Sequence, residues 1–485
     1  MVVENVKRWP LHVPDAQVVA ARDYLTDPSF SSLRRAAVYN MCRNYRYQTT
    51  GYYVSLLAAA RGHRPLPSVA TLQDLRISPL IRIASEDLHK LTQRSLANIK
   101  SEEFLLSIYF GRNVATRYDR LAQALFNMFP APFLRARFEN NGSWRLQNIR
   151  AIATSEIPET HRPFIMKRAR TYFSMKARPR RRPREARYDL AILVNPEEPF
   201  PPSDGHALRR FVAAARKVGI AASSITAEDA ARVAEFDALF IRETTLVNHH
   251  TYRLARRAVA AGLVVIDHPD DILRCTNKVY QAELFTRHEI ACPRTMVVHA
   301  GNVDQVATAV GLPCVLKRPD SSFSRGVVKA ASREALEAHL TAFFQESDLI
   351  IAQEFVPSSF DWRIGVLDGR ALYACRYHMA KGHWQIIGSG KHGRPEYGSV
   401  EAVEMAHVPE RARRLAERAA HVIGDGLYGI DIKEVGHRFL VMEINDNPTM
   451  ESGCEDGVLG NELYLAVMRC FRSRLDARGL ARNAP

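Results

Sequence analysis

The chain predicts a mixed fold, α/β in its middle and α+β after residue 276, and three observations carry that expectation. Over 190–275, short apolar runs alternate with helical patterns of about 10–15 residues, which is how a parallel sheet covered by helices reads. From Asn277 onward, apolar strands follow one another in hairpin pairs, as antiparallel sheets do. Ahead of both, residues 1–189 hold 32 Lys and Arg against 15 Asp and Glu, a balance of +17, whereas 190–485 hold 35 against 37. The excess charge therefore lies in one block. The expected domains are 1–175, basic and mixed α/β; 176–189, a linker; 190–275, a small doubly wound α/β domain; and 276–480, the α+β domain.

In the first block Tyr53, Leu56, Leu57 and Ala60 recur at helix spacing ahead of Gly62, and YDRLAQALFNMF reads as a second helix ending before Pro130. SVATLQDL and EEFLLSIYFG fit strand or helix equally. The run KARPRRRPREARYD has seven basic residues in fourteen and two prolines that prevent a regular helix. Next come the strand DLAILVNP, the helix ALRRFVAAARKVG closed by Gly219, the strand IAASSI, and two further strands in FDALFIRET and GLVVIDHP around the helix YRLARRAVAAG. No G-x-G-x-x-G follows the first of these strands, so a dinucleotide fingerprint is absent. In the last block PCVLKRP, GVVKA, LIIAQEFV, DWRIGVLDG, RALYACRYH, LYGIDIKEV and HRFLVMEIN read as strands, with SREALEAHLTAFF and PERARRLAERAAHVIG as helices.

Composition narrows the class. Hydrophobic residues at 46% and charged residues at 25% exclude global disorder and fibrous folds. The first residues lack an apolar signal core, and no run approaches 18 apolar residues, so no membrane partner and a cytoplasmic location are expected. The seven cysteines are odd in number and scattered, without C-x-x-C, which argues against disulfides and structural zinc.

The chemistry concentrates in GIDIKEVGHRFLVMEINDNP. Glu443 and Asn445 stand at i and i+2 of one strand and share a face. If the strands fold back so that paired numbers sum to 874, Asp431 lies opposite Glu443 on that face; a plain two-residue turn gives 873 and turns Asp431 away, so an odd loop or a bulge is required. Three oxygen donors suit Mg²⁺ when phosphates complete its shell. Lys317, ending an apolar strand, needs an anion; the following DSSFSRGV loop, with Ser324 and Gly326, offers hydroxyls and backbone N–H groups to phosphate. Lys278 adds a cation at a helix start. Gln353, Glu354 and Val356 end an apolar strand whose backbone can pair with a purine edge, Asp361 can hold ribose, and Arg363 and Arg376 are strand arginines suited to phosphate or carboxylate.

This ordered set, Lys278, Lys317 with SSFSRG, QEFV, D-x-R and Asp431…Glu443-x-Asn445 followed by N-x-P, resembles the ATP-grasp fold, and more narrowly the RimK-like amino-acid ligases, whose E-V-N-x-x-P signature EINDNP resembles. RYQTTGYYVSLLAAARGHRPLPSV, PEEPFPPSDGHAL, ALFIRETT and CTNKVYQAEL are similar to a longer subgroup with a dedicated N-terminal domain. The likeness spans nearly all of 20–475. It implies ATP and Mg²⁺ (or Mn²⁺) as cofactors, with Asp431, Glu443 and Asn445 as metal ligands, Lys278 and Lys317 as phosphate contacts, Glu354 and Val356 at adenine, Asp361 at ribose, and Arg363 and Arg376 on phosphate or the activated carboxylate. Where the family carries F-R-x-N-x-x-x-G-G, this chain reads HWQIIGSGKHGRPEYGSVEAV. The implied activity joins a carboxylate to an amine through an acyl phosphate, adding glutamate or another amino acid to a peptide, a protein tail or a small-molecule acceptor; a homo-oligomer is compatible with it. The alternative is a nucleic-acid-binding protein that uses ATP as a conformational ligand, with the basic first block holding an acidic polymer or nucleic acid and Tyr45, Tyr47, Tyr52 and Tyr53 stacking on bases.

Overall fold

A computed structural model describes the chain except residues 10–15, 32, 34–35, 77, 178–185, 321–325, 382, 390–394 and 484–485. Contacts divide it into two units: residues 1–182 with 228–235, and 183–227 with 236–485.

In the first unit, β1 (Ala37–Tyr39) and β2 (Arg64–Leu66) pair in parallel across α1 (Thr50–Ala60). The chain leaves α1 through Gly62, whose φ of +69° is open to glycine at no steric cost. SVATLQDL resolves as a short helix (Val69–Asp74) because the Ser68 hydroxyl accepts from the Thr71 amide, an N-cap that a strand has no use for. EEFLLSIYFG resolves as strand β3 (Glu103–Tyr109), paired antiparallel with β4 (Phe133–Asn140), which pairs with β5 (Trp144–Ala151). Between β3 and β4, α2 (Asp119–Met128) buries Leu121, Ala122, Leu125 and Phe126. The β4–β5 hairpin has no counterpart in the sequence expectations, although Leu134, Ala136 and Phe138 alternate with arginines along β4. The last helix, α3 (Arg162–Ala177), runs into the expected linker; Arg180, Arg181 and Arg182 lie outside the described residues. Of the four tyrosines, Tyr45 donates to the Asn40 carbonyl and packs on a core, while Tyr47, Tyr52 and Tyr53 meet one another edge to face.

In the second unit a parallel sheet comes first: β6 (Tyr188–Leu193), β7 (Ile220–Ile225), β8 (Ala238–Ile241) and β9 (Val264–Ile266), in the order β9-β8-β6-β7, with α4 (Gly205–Lys217) and α5 (His250–Ala260) as crossovers. This is the expected doubly wound arrangement. No separate core closes at residue 275, however: Leu190, Phe211 and Phe240 share one core with Tyr373, Cys375, Leu427 and the C-terminal residues Tyr464 and Phe471.

Helices α6 (Pro269–Thr276) and α7 (Lys278–Arg287) lead into two antiparallel sheets. One has the order β10-β13-β11-β12, from β10 (Thr295–Val298), β11 (Cys314–Lys317), β12 (Val327–Ala330) and β13 (Ile350–Glu354). Its Cys314, Leu316, Ile350 and Ala352 pack on Leu336 and Leu340 of α8 (Arg333–Phe343), so strand alternation turns Lys317 and Gln353 to the other face. The second has the order β16-β15-β14-β17-β18, from β14 (Phe360–Leu367), β15 (Arg370–His378), β16 (Val400–Val403), β17 (Leu427–Val435) and β18 (Arg438–Asp446). Here Trp362, Ile364, Ile430, Ile432 and Ile444 bury against a stripe of alanines, Ala412, Ala416 and Ala419, on α9 (Glu410–Ile423). Small residues let the helix lie close, and the polar partners of these strands face away from it. Among the described residues no helix is long and apolar enough to cross a membrane.

Candidate active site

The decisive hairpin combines the plain two-residue turn with the bulge that the sequence left as one of its alternatives. β17 and β18 join through a two-residue turn, Gly436 (φ +58°) and His437, and pair plainly from Val435↔Arg438 to Ile432↔Val441. Met442 is then an extra residue, a bulge, after which Asp431 faces Glu443 and Gly429 faces Asn445. The bulge restores the register that puts Asp431, Glu443 and Asn445 on one face; the Asn445 Nδ2 donates to Asp431 Oδ2 at 3.1 Å.

Cations from three elements meet these carboxylates. Arg363 stands directly across from Asp431 on β14 and grips it with two donors, Nε to Oδ1 and Nη2 to Oδ2 at 2.9 Å. The guanidinium reaches it because position 429 is glycine: a Cβ there would come within 2.9 Å of the Arg363 Cδ. Lys278 Nζ lies 2.9 Å from Glu443 Oε1. Its helix is set by Asn277, whose side chain accepts from the Val279 and Tyr280 amides. One turn on, Gln281 clamps the backbone between the two ligand candidates, donating to the Ile444 carbonyl at 2.9 Å and accepting from the Ile444 amide at 2.9 Å. Lys317 comes from the other antiparallel sheet and is buried. Desolvation lowers its pKa to about 8, an effect that Lys278 and Lys433 reinforce and Glu443 and Asp361 oppose. Burial alone would raise the Glu443 pKa, but Lys278 and Lys317 outweigh it and hold the carboxyl below its usual range. At Asp431 burial wins despite Arg363, and the pKa rises. The oxygen-only set of two carboxylates and an amide fits a hard divalent cation, and the lysines around it fit an anion.

Lys433 is a site residue that the sequence reading missed. Two residues beyond Asp431 on the same strand, it is buried and bonds Asp361 Oδ1 at 2.6 Å and Ser358 Oγ at 2.5 Å. The alternation that paired Glu443 with Asn445 would have found it.

Several expected contacts fall elsewhere. Arg376 pairs with Trp362, on the sheet face opposite Arg363. Its guanidinium lies over the Phe360 and Trp362 rings, at 5.3 and 4.9 Å, and 3.5 Å from Glu401, so the expected role on phosphate or activated carboxylate is withdrawn. Tyr377 occupies the site face instead, its ring 4.8 Å from the Arg363 guanidinium. Asp361 is on the site face, with its Oδ1 held by Lys433 and Ser358. Gln353 shares the face of Lys317; its Nε2 donates to Thr295, and its buried Oε1 has no hydrogen-bond partner among the described residues. Glu354 turns its side chain to Arg294 at 3.0 Å and gives its amide to the Arg294 carbonyl, and Val356, two residues on, is buried. Gly326 accepts from the Arg318 amide at a φ of +70°, and a Cβ there would collide with the Arg318 side chain. Ser324 lies outside the described residues. All seven cysteines are free, and burial pushes the Cys42 and Cys375 thiols up to about 12, far from a working thiolate.

Comparison with known proteins gives the chain a family. Residues 21–168 match the RimK-like ATP-grasp N-terminal domain and residues 275–458 the RimK-like ATP-grasp domain, together more than half of the chain. A probable alpha-L-glutamate ligase of Thioalkalivibrio sulfidiphilus is 28% identical over 220 residues, covering 44% of this chain and 70% of the relative. Another, of Syntrophotalea carbinolica, is 27% identical over the same shares. A D-alanine–D-alanine ligase structure from Bacillus anthracis aligns at a TM-score of 0.48 and 14% identity, covering 61% of this chain and 99% of its own. None of this supports the nucleic-acid alternative. The chain belongs to the RimK-like ATP-grasp family, and carries that family's N-terminal domain ahead of its ATP-grasp domain.

Proposed function

We propose that this protein is an ATP- and Mg²⁺-dependent ligase that joins a carboxylate to an amine through an acyl phosphate. The observation that carries the reading is the meeting of Lys278, Lys317 and Arg363 with Asp431, Glu443 and Asn445 on facing sheet surfaces. Such a set has more charge than a structural site needs; triphosphate and a divalent ion would complete it. Asp431, Glu443 and Asn445 would hold Mg²⁺, which when bound offsets phosphate charge in the transition state.

The chain's own residues do the remaining work. Lys317 and Lys278 hold phosphate oxygens, and a phosphate beside Lys317 opposes the desolvation that depresses its pKa. Arg363 is fixed by Asp431 so that its remaining donors and charge are oriented before the substrate arrives. The substrate carboxylate attacks the γ-phosphorus, the β–γ bridging bond breaks toward ADP, and the acyl phosphate forms; an amine then attacks its acyl carbon and phosphate leaves. No enzyme nucleophile is required, in keeping with the inert thiols. The enzyme adds an amino acid to a peptide, a protein tail or a small-molecule acceptor, and the names of the sequence relatives make L-glutamate the first amino acid to try.

The test is phosphate release with ATP and Mg²⁺ across an array of amino acids and short peptides, followed by weighing the product. Hydroxylamine supplied without amine should capture the acyl phosphate as a hydroxamate. Release of pyrophosphate and AMP instead would mean an adenylate and sink the mechanism.

A further inference from the structure

The doubly wound sheet has a second cluster of polar groups that the ATP chemistry does not use. The strand order β9-β8-β6-β7 reverses its direction of winding between β6 and β8, and open sheets of this kind bind ligands outside the carboxyl ends of the strands at that reversal. The residues leaving β6 and β8 meet there. Asn195 Nδ2 donates to Glu243 Oε1 at 3.2 Å, and the Thr244 amide and hydroxyl both donate to Glu198. His250, first residue of α5, places Nε2 at 2.9 Å from Glu243 Oε2, with the His249 ring 3.9 Å away. Glu243 is buried while His250 keeps about a third of its side chain exposed (34%), so the pair opens to solvent through the imidazole.

Two features turn this cluster toward the reaction. The first is its charge. Among the described residues neither Glu198 nor Glu243 makes an ion pair with Lys or Arg, and the neighbouring Arg242 is engaged by Ser203, Asn447 and the Pro202 and Pro448 carbonyls. An acidic crevice beside a cationic nucleotide site suits a ligand that carries an ammonium. The second is its position. Asn447 Nδ2 donates to the Glu243 carbonyl at 2.6 Å and Thr245 Oγ1 to Asp446 at 2.6 Å; Asn447 is two residues, about 7 Å of extended chain, beyond Asn445.

Resting on the ligase reading, we infer that this crevice receives the amine substrate as its ammonium, with His250 as its proton acceptor and Glu243 as the residue that positions His250. With Nε2–H donated to Glu243, His250 Nδ1 carries the lone pair. It takes one proton from the ammonium; the freed nitrogen lone pair forms the C–N bond to the acyl carbon, the C–O bond to phosphate breaks with its electrons on phosphate, and the second proton leaves with phosphate.

The experiment compares two nucleophiles on one enzyme. With an acid and amine pair that wild type joins in the array above, amide formation and hydroxamate formation are measured in His250→Gln and Glu243→Gln. Hydroxylamine is small and neutral at pH 7 and needs neither the crevice nor a proton acceptor. The amide-to-hydroxamate ratio should fall about 100-fold in His250→Gln, and Glu243→Gln should raise KM for the amine and lower the ratio about tenfold. An unchanged ratio, or equal loss of both products, overturns the assignment. So does one equivalent of zinc that copurifies with wild type and is lost in His250→Gln, because Glu243, His249 and His250 would then be metal ligands. If wild type joins no pair at all, the ligase reading itself fails, a result distinct from any of these.

Discussion

The two faces of the five-stranded sheet are built from alternate residues of the same strands, and they obey opposite rules. On one, Trp362, Ile364, Ile430 and Ile432 disappear into a core against the alanines of α9. On the other, one residue away in each strand, Asp361, Arg363, Asp431 and Lys433 form a lattice of charge that is mostly shielded from solvent. Arg363 and Arg376 show what a single step costs: the same side chain on neighbouring strands faces a carboxylate in one case and two aromatic rings in the other. Function in this fold is therefore a matter of parity, and the bulge at Met442 is what sets the parity of Glu443 and Asn445.

The harshest test of the site face is Glu443→Ala. It removes an oxygen donor and leaves Lys278 without its partner at 2.9 Å. ATP turnover, read as phosphate release, should fall by about 10²–10³-fold, the scale of losing one group that stabilises transition-state charge. Turnover close to wild type would mean that the lattice of charge is structural. Next in size, Arg363→Met strands Asp431 in a dry site, and urea unfolding should show a loss of about 3–5 kcal/mol. Adding Asp431→Asn removes the orphaned charge and should restore a good part of that loss, whereas two additive losses would contradict a direct pairing.

Much of this was legible before the structure. The strands and the shared face of Glu443 and Asn445 follow from period-two alternation, and Asp431 joins them on the condition of an odd loop or a bulge. The bulge could not be read, because Gly436–His437 as a two-residue turn and a three-residue alternative satisfy the same apolar pattern. Arg376 went astray for a related reason: residue type marked it as functional, while its side of the sheet depended on hairpin register, itself shifted between Gly365 and Val366. The Glu243–His250 pair is local, but the contacts of Asn195 and Glu198 that close the crevice around it were beyond reach, since they exist only because β8 lies beside β6, a tertiary fact with no local signature. The hairpin β4–β5 was readable in principle from its alternation and the Asn-Asn-Gly-Ser turn.

A subtler measurement separates Lys317 from a plain surface cation. Its folded-state pKa is about 8 against an ordinary 10.5, so between those values the unfolded chain holds more protons and folding stability should rise with pH across the window. A nucleotide phosphate favours the charged lysine, so binding ATP at about pH 8.5 should take up a proton. Calorimetry in two buffers of different ionisation enthalpy reads that uptake directly. It should vanish in Lys317→Met; equal uptake in that variant would assign the proton to another group.

The smallest expected effect falls on the other face and completes the contrast. Arg376→Met removes cation–ring contacts with Phe360 and Trp362, each worth about 0.5–1 kcal/mol at partly exposed sites. It also removes an ion pair with Glu401 at 3.5 Å, which at such exposure contributes about 0–1 kcal/mol. Against these losses, the Arg376 Nε is buried with no hydrogen-bond partner among the described residues, and methionine abolishes that desolvated donor while keeping an apolar stem on the rings. The opposing terms leave stability within about 1 kcal/mol of wild type, and ATP turnover within about threefold, because nothing on this face touches the charge lattice. A loss of turnover as large as that of Glu443→Ala, at unchanged stability, would show that Arg376 reaches the reacting groups after all and that the sheet's two faces are not divided by strand parity.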